Sequence, residues 1–161
     1  MLDSGLDPSL NLDSQVLLDL LKIWRGACEG REMPSRGDID PLDINPSLLP
    51  YILLVDVEHQ PQRRYRWRLI GTHLVERVKR DSTGRYWDEL YIGDVFDVMR
   101  SRVDWVLQHR LPIRATGHAG SKNVNPRLKD ITNLEGLYLP LSSDGETIDM
   151  ILMGAVYSSL K

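Results

Sequence analysis

The stretch YILLVDVEHQPQRRYRWRLIG, residues 51–71, decides the fold. From Tyr51 to Val57 it is apolar at almost every position, the mark of a strand covered on both faces. From Arg64 to Gly71 the pattern changes: Tyr65, Trp67 and Leu69 alternate with Arg64, Arg66 and Arg68. A period of two sets the rings against a core and the arginines in water. The short linkage around Pro61 joins the two runs as an antiparallel hairpin.

Three further strand-like pieces close the chain: PIRATGHA (112–119), LEGLYLPLS (134–142) and TIDMILMGAVYS (147–158). Asp144-Gly145 between the last two is a hairpin signal, and the polar run 120–133 before them reads as a surface loop. Between the two groups of strands lie helices. Leu74, Val75 and Val78 give two turns before a breaker at Asp81–Gly84, and Ile92, Phe96, Met99, Val103 and Val106 define a longer helix ending near His109. The expected class is therefore α+β, a five-stranded, largely antiparallel sheet with helices collected on one face.

On the N-terminal side, Leu17, Leu20, Leu21, Trp24 and Cys28 recur at helical spacing within an amphipathic helix at 14–29, with Asp13 or Ser14 as its N-cap. Residues 1–12, rich in Asp, Ser, Gly and Pro, are expected to be a mobile tail. Prolines at 34, 41, 46 and 50 exclude a regular element from Met33 to Pro50 and leave a structured connector with short turns. The chain divides into an N-terminal segment, 1–44, and a sheet domain, 45–161. The first holds nine acids and four bases, so the remainder is slightly basic.

At 161 residues and a net charge of −3, the chain can bury a core without metal or disulfide, and its one cysteine cannot form an internal bridge. No apolar run approaches the length of a membrane span, and the N-terminus carries acids where a signal peptide carries bases. A cytoplasmic protein is expected. The acidic balance argues against a nucleic-acid or membrane partner, and the Arg64, Arg66, Arg68 row reads as a solvated strand face that can pair with Asp38, Asp40 and Asp43.

Several blocks resemble one family: LKIWRGACEGREMPSRGDIDPLDI (21–44), LLPYILLVDVE (48–58), YRWRLIGTHLVE (65–76), RDSTGRYWDEL (80–90) and LYLPLSSDGETIDMILMGAVY (137–157). Together with the element order they are similar to small stand-alone bacterial PAS-domain proteins of alphaproteobacterial type. The resemblance implies a module that senses a ligand or signal by binding and dimerising, without catalysis. It also argues against a flavin-adduct light sensor, whose reactive cysteine belongs where this chain has Thr72–Lys79.

Enzymatic motifs are absent from the sequence, and Cys28 reads as a small core residue. His59, His73, His109 and His118 lack metal-ligand spacing, and haem and flavin are not indicated; no cofactor is required. The ligand-pocket candidates are Tyr65, Trp67, Leu69, His73, Trp87, Phe96, Met99, Val103 and Met150, around a cavity between the sheet and helices 72–108. Arg80 and Arg85, in the RDSTGR turn, are candidate contacts to an anion.

The last strand is apolar on both sides. Met150, Leu152 and Val156 are expected toward those helices, and Ile151, Met153, Ala155 and Tyr157 toward an outer face. There the N-terminal helix should pack and help form a homodimer through Leu17, Leu20, Leu21, Trp24, Ile52, Leu54, Ile151 and Met153. The expected function is a sensory or regulatory module for a small molecule or signalling protein. The rivals are a constitutive adaptor with a side-chain-filled core and a small enzyme acting on an anionic metabolite.

Overall fold

The expected hairpin forms the β2–β3 end of an antiparallel sheet in the computed structural model, which describes residues 5–117 and 133–158. Along the chain run β1 (Leu6–Asp7), α1 (Gln15–Cys28), β2 (Ile52–Glu58), β3 (Arg64–Ile70), α2 (Thr72–Val78), α3 (Trp87–Leu90), α4 (Gly93–His109), β4 (Ile113–Gly117), β5 (Asn133–Leu141) and β6 (Met150–Ser158). The sheet order is β1-β4-β5-β6-β2-β3, with every neighbouring pair antiparallel. The class is α+β as expected, with six strands among the described residues instead of five.

The sixth strand comes from the segment expected to be a mobile tail. Leu6 and Asp7 pair with Ala115 and Arg114, and Thr116 donates to the Gly5 carbonyl at 3.0 Å. Asp7 then folds the chain back by accepting from the backbone N–H groups of Ser9 (3.0 Å) and Asn11 (3.1 Å). The composition of 1–12 is that of a loop, yet β4 supplies an edge that only the folded sheet creates.

Helix α1 lies on one face of the sheet, here the outer face. A Cβ added at Gly154 would stand 2.5 Å from Leu17 Cδ2 and 2.8 Å from Leu20 Cδ2, so β6 and α1 approach as closely as a bare backbone allows. Trp24 Nε1 donates to the Pro140 carbonyl at 2.9 Å. Leu17, Leu20, Leu21 and Trp24 are all buried, each contributing about 1.5 to 3 kcal/mol of apolar burial. No side chain of α1 caps its own N-terminus; Glu135 of β5 does so instead. The connector that follows makes three 3₁₀ turns, at Arg36–Asp38, Pro41–Asp43 and Pro46–Tyr51, as its four prolines require.

Helices α2, α3 and α4 occupy the opposite, inner face, with α4 across β4 and β5 and α3 against β3. The segment after α2 returns to cover the free edge of β3: Trp67 donates to the Arg85 carbonyl at 3.0 Å and Gly84 donates to the Trp67 carbonyl at 2.6 Å. The RDSTGR turn thus protects an exposed edge strand.

Two face assignments differ from expectation. Gly154 pairs with Ile52, and Leu152 with Leu54, so Leu152, Gly154 and Met150 share the outer face with α1. Ile151, Met153, Ala155 and Tyr157 therefore point inward, opposite to the sequence reading. Both sides of β6 are apolar, so alternation alone cannot say which side receives which helix. In β3 a bulge opposite Leu54 and Val55 shifts the register, so Leu69 pairs with Leu54 and turns outward while Trp67 stays inward.

Candidate functional site

The inner face gathers aromatic and polar side chains between the sheet and α2–α4. Trp87, at the start of α3, is 1% exposed and lies against Tyr65 and Trp67, with ring centroids 5.2 and 5.1 Å away. Such tilted contacts are favoured by the ring quadrupoles. The Trp67 indole N–H donates to the Tyr91 hydroxyl at 3.1 Å, and the Tyr65 hydroxyl donates to Asp104 of α4. Burial, and then the Asp104 bond, push the Tyr65 phenol well above its ordinary pKa.

A second part of this cluster centres on Arg102 of α4, a buried guanidinium that donates to the Tyr138 hydroxyl at 3.3 Å. Tyr157 faces the same group, and burial pushes its phenol strongly upward, so it stays a neutral hydroxyl. His73 of α2 closes the end of β6, with Nε2 accepting from the Tyr157 backbone N–H at 3.1 Å and its ring between those of Tyr51 and Tyr157. Burial and the nearby Arg77 lower its pKa, in keeping with an acceptor nitrogen that carries no proton.

One atom in this region lacks a partner. Trp87 Nε1 is buried without a hydrogen-bond acceptor among the described residues. An unsatisfied buried donor costs about 1 to 3 kcal/mol, so such groups are rare where nothing else binds.

Of the pocket candidates, Tyr65, Trp67, His73, Trp87 and Val103 meet on this inner side, with Phe96 and Met99 half-buried on α4. Leu69 and Met150 do not: the bulge and the β6 register turn both to the outer face. The sequence reading missed Tyr91, Arg102, Tyr138 and Tyr157. An arginine among apolar helix positions was the available signal for Arg102, and alternation could have placed Tyr138 and Tyr157 once the face was known. Arg80 is exposed; burial raises the pKa of nearby Tyr91, with the Trp67 N–H and then Arg80 acting against it. Arg85 is exposed and paired with Glu89 at 3.7 Å.

The arginine row finds partners other than the expected acids. Arg66 and Arg68 both reach Asp56 of β2, at 2.8 and 2.9 Å, Arg64 pairs with Asp88, and Asp38 is held by Arg31. Across-strand register brings Asp56 opposite Arg66, which no linear spacing displays. His59 Nε2 contacts the Ile148 carbonyl, and His109 stacks on Trp105; His118 lies outside the described residues. Cys28 is half-buried on α1, where burial pushes its thiol up, away from a reactive thiolate.

The dimer candidates are also relocated. Leu17, Leu20, Leu21, Trp24, Ile52, Leu54, Ile151 and Met153 are all buried within the single chain, the last two on the inner face. The apolar stripe of α1 is spent on its own sheet. Beside α1 on the outer face, the connector roofs a cavity of about 240 Å³ whose floor includes Ile52, Leu54 and Leu152.

One antiparallel sheet with short helices over one face and a buried aromatic and polar cluster between them is the arrangement of a PAS fold. The PAS domain family model matches residues 12–156, and the chain belongs to that family. None of the curated proteins compared with it shows significant sequence similarity. Among solved structures, the fold is similar to that of a sensory box sensor histidine kinase from Vibrio cholerae, with a TM-score of 0.50 and 15% identity over 70% of this chain and 86% of that one. No helix among the described residues is long and apolar enough to cross a membrane.

Proposed function

We propose that the protein is a non-enzymatic sensory or regulatory module that holds a small molecule between the inner sheet face and α2–α4 and reports its presence to a partner protein. The observation that carries this reading is the unsatisfied N–H of Trp87, buried beside Tyr65 and Trp67. A ligand with one acceptor there would satisfy it, while the rings supply apolar contact. Occupancy would act by favouring one packing of α3 and α4 over another, a shift of population that requires unequal affinity for the two.

Native mass spectrometry of the purified protein, paired with its denatured mass and absorbance spectrum, tests this. The expected result is an added mass on the folded species that disappears on denaturation and is reduced in Trp87→Phe. A bare folded species in both proteins overturns the sensor reading and leaves a constitutive adaptor.

We also propose a homodimer. Its contacts lie outside the buried α1 stripe and include Leu18, which is 40% exposed on α1. Light scattering across protein concentration is expected to show a dimer that Leu18→Glu weakens; a monomer throughout overturns it.

A further inference from the structure

We propose that His73 is a proton-operated latch: neutral, it holds α2 against the end of β6, and in mild acid it releases the helix and uncovers that end of the sheet. The module then responds to acid directly, whether or not a ligand occupies the region of Trp87. Helix α2 is weakly attached. None of its residues, Thr72–Val78, is buried, and Leu74 packs only partly buried against the core. Its one hydrogen bond to another element, among the described residues, is made by His73 Nε2, which accepts the Tyr157 backbone N–H at 3.1 Å. An element with so little buried apolar contact opens locally at a small cost in free energy. Its N-terminal end is the fixed one: a Cβ added at Gly71 would stand 2.2 Å from the Pro50 carbonyl oxygen.

The N–H that His73 accepts lies past the end of its neighbouring strand. β6 makes its last pairing with β2 at Gly154 and Ile52, yet runs on to Ser158. There His73 takes the place of a strand partner, its ring 4.5 Å from that of Tyr51 and 6.1 Å from that of Tyr157. A neutral imidazole has one acceptor nitrogen and an imidazolium has none. A proton at Nε2 therefore sets two donors against each other and removes the latch. The helix packs on the 3₁₀ turn Pro46–Tyr51 and on β6, whose titratable side chains are Tyr51 and Tyr157 alone. Burial keeps Tyr157 neutral, so it offers an imidazolium no counter-charge. From α2 itself come Arg77, which opposes the proton, and Glu76, which favours it. Burial acts in the same direction as Arg77, so the docked ring takes a proton less readily than a released one. By linkage, acid shifts the population toward the released helix.

Amide hydrogen exchange of the full chain, read by mass spectrometry at about pH 7.5 and about pH 5.5 and corrected for the intrinsic rate at each, tests this. Protection across α2 and at Tyr157 is expected to fall at least about threefold at the lower pH, while Leu137–Leu141 of β5 keeps its protection. His73→Gln, whose amide oxygen can accept the same N–H without titrating, is expected to show no such fall. In the unaltered chain, the His73 ring signals and the Tyr157 amide signal in nuclear magnetic resonance should titrate with one common midpoint, which tests the latch without a variant. Protection of α2 that is independent of pH, or an equal fall in His73→Gln, overturns the proposal. An equal fall across β5 also overturns it, by assigning the effect to the whole fold, as do separate midpoints for His73 and Tyr157.

Discussion

The carboxylate of Glu135 on β5 accepts the backbone N–H of Ser14 at 2.8 Å, and so caps a helix that begins more than a hundred residues earlier in the chain. It also takes the Asp13 N–H at 2.8 Å and the Arg114 guanidinium at 2.8 Å. Arg114 in turn reaches Asp7 and Asp13, which ties β1, α1, β4 and β5 at one point. Burial by itself raises the Glu135 pKa, but the Asp13 N–H, Arg114 and the Ser14 N–H outweigh it and hold the group below the usual carboxylate range. A lowered folded pKa contributes stability that is complete above the unfolded value of about 4.3 and is lost as pH falls through the folded one. Glu135→Ala is expected to cost about 1 to 3 kcal/mol at pH 7, with a smaller deficit near pH 3, read from urea midpoints. Equal midpoints at pH 7 would contradict the cap.

His73 carries the opposite end of the titration range. Its folded pKa is lowered and its Nε2 must be unprotonated to accept from Tyr157. The unfolded chain therefore binds the proton more readily, and stability falls as pH drops below about 6.5, the ordinary histidine value. His73→Gln, whose amide oxygen can accept the same N–H, is expected to flatten the dependence of Tm on pH between 7 and 5. An unchanged slope would assign the effect elsewhere.

Gly154 is required by the distance between β6 and α1. Gly154→Ala places a methyl where Leu17 and Leu20 now stand, and overpacking of this kind costs about 1 to 3 kcal/mol. The expected readout is a lower urea midpoint with an unchanged m-value. A neutral substitution would show that α1 can slide off the sheet freely.

Asp56 is buried and shared by two partly exposed arginines. Arg66→Ala and Arg68→Ala singly should each cost less than about 1 kcal/mol, since each leaves Asp56 one guanidinium. The double variant should cost more than their sum, because it strands a buried carboxylate. Strict additivity in chemical denaturation would show that the two arginines act independently.

Deletion of residues 1–30 removes β1 and α1 and bares Leu137, Leu139, Leu152 and Gly154 on the outer face. The truncated chain is expected to lose cooperative unfolding and to aggregate. A soluble truncation with the full-length midpoint would separate α1 from the core.

Much of the architecture was legible because each element has its own period. The alternation at Tyr65 and Trp67, the helical spacing of Leu17, Leu20, Leu21 and Trp24, and the prolines of the connector each state a local structure without help from the rest of the chain. The shared inner face of Tyr65 and Trp67 follows from that alternation, and the place of Val103 from the helical spacing of Phe96, Met99, Val103 and Val106. Where a strand is apolar on both sides, as in β6, the period survives but its phase relative to the helices does not, and Ile151 and Met153 were placed on the wrong face.

What the sequence determined by itself was the succession of helices and strands apart from β1 and α3, the two hairpins, the class of fold and the kinship with PAS domains. What only the tertiary structure decided was which sides meet: the pairing of β1 with β4, the bulge that turns Leu69 outward, the capping of α1 by Glu135 and the union of Arg102 with Tyr138 and Tyr157. The reason is physical. Hydrophobic period is a local property of the backbone, fixed over a few residues, whereas register, face and ion-pair partners are set by contacts between segments far apart in the chain.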